Sequence, residues 1–529
     1  MPSNSSNHTV HQLPFVIFLV VTALICGALV MVIEVLGSRI INPFFGASLF
    51  VWTSLITVTL VGLALGYCTG GVLSDWRGDP SYLYGIIFLA GIAVLLIPVL
   101  RKPVLENTLS LGLRLGALTA SSLLIGPAIF LLGCVSPYII KIAAREIRNI
   151  GRTVGLLYAV STLGSLIGTI CTGFILIAYF SINQIFAFVG GSLIVLSSLY
   201  FVFFKKKPIA LLVLIVPFLL PASRDIRTKL LENGTVITKV CDIETFYGNI
   251  KVLDYRYPDK NIRELLVDGA VSGTIDLDNG LPLYGYFYYL QYIPYSLNPR
   301  GQRCLAIGLG AGIIPRWYEK MGIMTDVVDI NPEIFAVAEK YFGFHTTGEK
   351  IVEDVRYFLN RSKKKYDYII FDVFNGENTP FHVLSRESLQ LISQRLNHGG
   401  ILGINLVGSI KAETFVMASV IKTLQQVFTT VEIYPTFDPD KQKWPMGNLE
   451  IIAYNSPPLT LATARLKTWR FHPEAATARD NLGKKFAFPP ETPGVIITDN
   501  YNPLDFYDLK VREGYRQWLL SRPNLELLL

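Results

Sequence analysis

Three aspartates and three glycines carry the chemistry most readily read from this chain. Gly308, Gly310 and Gly312 form a GxGxG turn directly after the apolar run Cys304–Ile307. Glycines there let the backbone approach a ligand closely. Asp329 lies 21 residues past Gly308, at the end of a second apolar run. A carboxylate at that place can accept hydrogen bonds from both hydroxyls of a ribose. Asp354 and Asp372 close two further runs. Acids at successive strand ends can serve a ribose, an adenine amine and a reacting amine in turn, or each can simply cap the helix that follows it. The cap is least needed from Asp329, because Asn331-Pro332-Glu333 supplies N-cap, N1 and N2 of the next helix.

These residues need a parallel sheet to position them, since open α/β sheets bind ligands at the carboxyl ends of their strands. The sequence alternates accordingly. Strands are predicted at 304–308, 326–330, up to Glu353-Asp354, at 368–373 and at 401–406, with helices near 312–320, 386–396 and 412–427 between them. Two last runs, 430–434 and 449–454, make an antiparallel ending. Seven strands ending in a hairpin, and no third glycine at dinucleotide spacing, fit an S-adenosylmethionine-dependent transferase fold better than an NAD fold. Before this unit, 235–240, 249–255 and 262–267 read as a small antiparallel sheet, and the tyrosine-rich stretch 284–295 as a helix.

The N-terminal part is of another kind. Only 16% of the 529 residues are charged, against about 25% in soluble domains, and the deficit is concentrated in 13–222. Six apolar segments reach spanning length, near 14–38, 48–73, 81–100, 115–140, 153–179 and 183–204. A short seventh run, 208–221, is bracketed by prolines and reads as interfacial or re-entrant. The expected organisation is an integral membrane domain (1–222), a β-rich subdomain (223–300) and a Rossmann-like nucleoside-binding transferase domain (301–529). Arg77, the cluster Lys141, Arg145, Arg148 and Arg152, and Lys205–Lys207 fall on one predicted face, which the positive-inside tendency makes cytoplasmic. Six spans leave the C-terminal domain on that side of a cell (inner) membrane. The net charge of +7 follows from this topology and does not call for nucleic acid. Glu34 and Arg39 are ionisable groups near the first span, either a substrate path or a structural pair. Gly155, Gly164, Gly168 and Gly173 predict tight helix packing. The six cysteines pair at no metal or redox spacing.

On Glu244-Thr245-Phe246-Tyr247-Gly248, Leu266-Val267-Asp268-Gly269, the Gly308–Gly312 turn, Val328-Asp329, Glu353-Asp354 and Tyr366–Asp372, the chain resembles the spermidine synthase, or polyamine aminopropyltransferase, family over roughly 235–455. Pro380–Ser385, Thr498–Pro503 and the membrane half look like its membrane-fused branch. The resemblance implies decarboxylated S-adenosylmethionine as co-substrate, no metal, and a small amine as acceptor. It places the ribose on Asp329, the adenine amine on Asp354, and deprotonation of the attacking amine on Asp372. Tyr247 and Asp268 would line the pocket. The chain departs from the family at Gly248 and Ser272, where glutamines are usual, near Tyr284-Gly285, and at Asn375, which stands where a second acid holds the acceptor. A membrane-bound methyltransferase, and a polyamine transporter or sensor with a non-catalytic nucleoside domain, are the alternatives. A homo-oligomer is compatible with all three.

Overall fold

The computed structural model describes residues 6–46, 49–146, 150–208, 227–373, 381–438, 441, 446–522 and 527. The chain divides into two compact units, Met1–Asp225 and Ile226–Leu529.

The first unit is helical, and six of its helical segments are long and apolar enough to cross a membrane by length and composition. Small residues set the close approaches. A Cβ on Gly164 or Gly168 would collide with the backbone of the first helix at Leu24 and Ala28, and one on Gly66 or Gly70 with the backbone at Phe130 and Cys134. Gly155 and Gly173 face open space instead, so half of the expected glycine stripe packs. The segment expected as one span over 115–140 is broken at Ile125 into helices 112–124 and 126–146. Pro127 is the cause: it has no N–H to give and its ring excludes the carbonyl four residues earlier. Arg101 and Lys102, just past the expected end of the third span near residue 100, lie inside the helix Pro80–Thr108. The three predicted basic regions do meet at one end of the bundle. Lys141 pairs with Asp75 at 2.5 Å and Lys205 with Asp79 at 3.2 Å, while the Tyr138 hydroxyl donates to the Arg77 carbonyl. Apart from Pro208, the run 208–221 lies outside the described residues.

The second unit opens with a five-stranded antiparallel meander: β1 (Thr228–Leu230), β2 (Val236–Thr245), β3 (Gly248–Arg256), β4 (Asn261–Val267) and β5 (Ala270–Asp276). Three of these were expected. β5 was not, because Asp268-Gly269 and Ser272-Gly273 make its surroundings read as loop. Asp268 and Gly269 have φ of +48° and +78°, the two-residue connection that matches strand twist.

A seven-stranded sheet follows, built from β6 (Arg303–Ile307), β7 (Met324–Asp329), β8 (Lys350–Val352), β9 (Tyr366–Phe371), β10 (Leu396–Ser409), β11 (Thr430–Pro435) and β12 (Met446–Tyr454). Its order is β11-β12-β10-β9-β6-β7-β8, with β12 antiparallel to both neighbours. The central strands are covered on both faces, which is why CLAI and YIIF are apolar without alternation. The chain runs outward from β6 through β7 to β8, then returns to β9 and runs outward the other way. The carboxyl ends of β6 and β9 are therefore the switch point, where such folds hold ligands.

Candidate active site

Each strand end delivers one sequence-predicted group. The turn after β6 takes φ of +86° at Gly308, +50° at Gly310 and +68° at Gly312, a conformation that L side chains rarely adopt. The space is closed as well. A Cβ at Gly308 would collide with the Asp372 carbonyl, one at Gly310 would sit 2.7 Å from the Ser272 carbonyl oxygen, and one at Gly312 2.7 Å from Phe344 Cβ. The turn is thus wedged between the acid of β9 and the edge of the meander.

Asp329, ending β7, accepts from the Leu309 and Asn331 backbone amides, each at 2.9 Å. Asn331 is the helix cap, accepting from the Glu333 amide, so Asp329 is spared that task. Burial pushes its carboxyl above the usual range, partly offset by these amides. Each oxygen keeps a lone pair for a ligand hydroxyl. The Asn331 amide nitrogen also donates to Thr245 Oγ1 at 3.1 Å, which ties the Asp329 loop to the turn carrying Tyr247. Asp354 is the N-cap of the helix 355–361. Its Oδ1 accepts from the Arg356 and Tyr357 amides at 2.8 and 3.1 Å, so the capping task weighed from the sequence is the one its Oδ1 performs.

Asp268 sits in the β4–β5 turn, and its Oδ1 accepts from the Asn249 amide at 2.9 Å. The neighbouring Gly248 has φ of +133°, and a Cβ there would stand 2.8 Å from Asp268 Oδ2. Asp268 fills the space a longer residue at Gly248 would need. Tyr247 is half-buried, its ring edge-on to Phe246. Asn375 lies outside the described residues. Of the segment Pro380–Ser385, Pro380 lies outside the described residues; Ser385 meets the segment Thr498–Pro503 at Asp499, which accepts from Ser385 Oγ and Arg356, both at 2.6 Å.

Asp372 follows β9 directly. Burial raises its carboxyl to about 6, opposed by a 2.8 Å hydrogen bond from Asn405 Nδ2. The Asn405 Oδ1 in turn accepts from Asn448 at 2.9 Å, so an amide relay fixes the rotamer of the acid. Three neighbours went unpredicted: Asn405, Tyr286 and Glu450. Asn405 and Glu450 are lone polar residues in otherwise apolar strands, a signal that could have flagged them. They are paired across β10 and β12. Burial, then the charges of Asp372 and Glu450, pushes the Tyr286 phenol far up. Among the described residues no cluster of three or more His, Cys, Asp or Glu could hold a metal. The site can therefore hold a ribose, press a backbone against a nucleoside, and offer a weakly acidic carboxylate as base.

Residues 285–448 match the spermine/spermidine synthase domain family. A polyamine aminopropyltransferase of Vibrio vulnificus is 35% identical over 135 residues, 24% of this chain and 45% of that protein. An N-terminal histidine N-methyltransferase of Emericella nidulans is 31% identical over 176 residues, 30% of this chain and 31% of that protein. The chain thus spans less than half the length of either relative. Among solved structures, a probable spermidine synthase from Corynebacterium glutamicum aligns at 16% identity with a TM-score of 0.38, over 51% of this chain and 93% of that one. Over residues 285–448, the second unit of this chain is similar to the spermine/spermidine synthase domain family.

Proposed function

We propose that the protein is a membrane-bound aminopropyltransferase that moves an aminopropyl group from decarboxylated S-adenosylmethionine to an amine. The observation that carries this reading is Asp372, a carboxylate held near pKa 6 against the glycine turn at the switch point of the sheet. Asp329 takes the ribose hydroxyls of the donor, and the Asp354 side faces its adenine amine. Asp372 accepts a proton from the bound ammonium, since a protonated amine has no lone pair with which to attack. The freed nitrogen attacks the carbon joined to the sulfonium. The C–N bond forms as the C–S bond breaks, its electron pair passing to sulfur, and neutral methylthioadenosine leaves. A base with pKa near 6 is ionised at neutral pH yet still a competent proton acceptor. Tyr247 and Asp268 flank the acceptor side, and Asn375 is assigned there as well.

The six apolar helices are read as spans with the second unit cytoplasmic. A reporter fused after Leu529 should then read as cytoplasmic, and a periplasmic signal would refute this topology.

The similarity to a histidine N-methyltransferase favours methyl transfer as a second reading. Mass spectrometry of products, with decarboxylated and intact donor and an amine panel, separates the two. Methylthioadenosine formation supports aminopropyl transfer. S-adenosylhomocysteine alone would replace it with methyl transfer.

A further inference from the structure

The reaction above leaves Glu450 without a task. It stands in the middle of β12 with no exposure, and neither carboxylate oxygen has a hydrogen-bond partner among the described residues. An isolated carboxylate in that position is among the costliest placements in a protein interior. Register puts it opposite Asn405 on β10 and Tyr434 on β11. Asn405 is committed to Asp372, and the Tyr434 hydroxyl to Glu432 at 2.7 Å. Tyr289, on the helix Gly285–Leu297, gives its hydroxyl to the Ala478 carbonyl. No neighbour on these elements neutralises Glu450.

Burial, then the charge of Asp372, pushes the Glu450 carboxyl well up, so it holds a proton until a cation comes to stand beside it. Strands β9, β10 and β12 are neighbours, so two strand spacings, roughly 10 Å, separate the backbones of Asp372 and Glu450. Asn405 stands between the two acids in this row, and the charge of Asp372 is felt at Glu450. Asp372 is half-buried and Glu450 fully buried, which sets the first at the opening and the second at the floor.

We propose that Glu450 is a specificity-determining residue at the floor of the acceptor site, where its carboxylate pairs with an ammonium group other than the nitrogen addressed by Asp372. This rests on the amine-acceptor reading. The site thereby distinguishes acceptors by a second positive charge, and the last strand of the sheet sets that choice.

The test uses the full-length protein and the isosteric Glu450→Gln variant. Calorimetry measures the Kd of methylthioadenosine, and then of 1,4-diaminobutane and of n-butylamine with methylthioadenosine present at saturation. A charge-assisted hydrogen bond lost on one ligand corresponds to about a tenfold to hundredfold weakening. That is expected for the diamine in Glu450→Gln, with n-butylamine and methylthioadenosine changed by less than about twofold, and with partial recovery in Glu450→Asp. Equal weakening for both amines, or no change for either, overturns the proposal. Wild-type protein that binds methylthioadenosine but neither amine overturns the amine-acceptor reading together with this one. A wild type that transfers to the diamine beside an unaffected Glu450→Gln overturns only the role of Glu450.

Discussion

Replacing Asp372 by asparagine should separate stability from catalysis in opposite directions. The carboxyl rises from its ordinary 3.8 to about 6 in the folded protein. At 1.36 kcal/mol per unit that corresponds to roughly 3 kcal/mol by which folding disfavours the ionised form. The sign follows from linkage. A raised acid pKa means that the folded state binds the proton more tightly than the unfolded one, so wild-type stability falls as pH rises from about 4 to about 6 and stays lower above. Asparagine carries no charge and can still accept from Asn405. Asp372→Asn should therefore unfold several degrees higher than wild type at pH 8, since each kcal/mol shifts a domain of this size by about 1.5–2 °C. The gain should vanish below pH 4. Turnover should move the other way, falling by about a hundredfold to ten-thousandfold with the loss of a general base. Methylthioadenosine affinity should stay within about twofold. The assay pairs thermal unfolding of the full chain, at pH 4 and pH 8, with methylthioadenosine release between pH 5 and 9. Wild-type kcat/KM should rise through an apparent pKa near 6, and the variant should lack that limb. More than a tenth of activity retained, or an unchanged acid limb, would refute the assignment of the base.

The other expectations are more local. Asp329→Ala removes the acceptor at the ribose position and frees two backbone amides, so methylthioadenosine should bind at least tenfold more weakly by calorimetry. Gly308→Ala combines φ of +86° with a collision at the Asp372 carbonyl; it should lower the unfolding midpoint by several degrees and abolish turnover. Asn405→Ala deletes the hydrogen bond that holds the Asp372 carboxyl down, and should shift the acid limb of kcat/KM upward by about half a unit to one unit.

Much of this site could be read along the chain because it is local. The glycine turn, Asp329 and Asn331 fall within one βαβ stretch, where spacing and strand ends are set by neighbouring residues. What escaped is non-local or cryptic. Glu450 and Asp372 are 78 residues apart, and become neighbours only because β12 inserts antiparallel between β10 and β11. No periodicity reveals that insertion. Asp354 could be read as ligand or cap from the sequence alone, and only the hydrogen bonds on Oδ1 show the capping. β5 was hidden by glycine and serine that serve contact rather than looping: Gly273 lies against Ala311. In the apolar N-terminal part, hydropathy averaged over Gly126-Pro127 and so concealed a helix break.

The hydrogen bond from Asn331 to Thr245 has a kinetic consequence. It joins the loop that would grip the donor's ribose to the turn proposed to flank the acceptor. Occupation of Asp329 by a nucleoside then stiffens the hairpin around Tyr247 before the amine arrives. Substrates should bind in compulsory order, donor first, and Thr245→Val should relax that order toward random without touching either ligand.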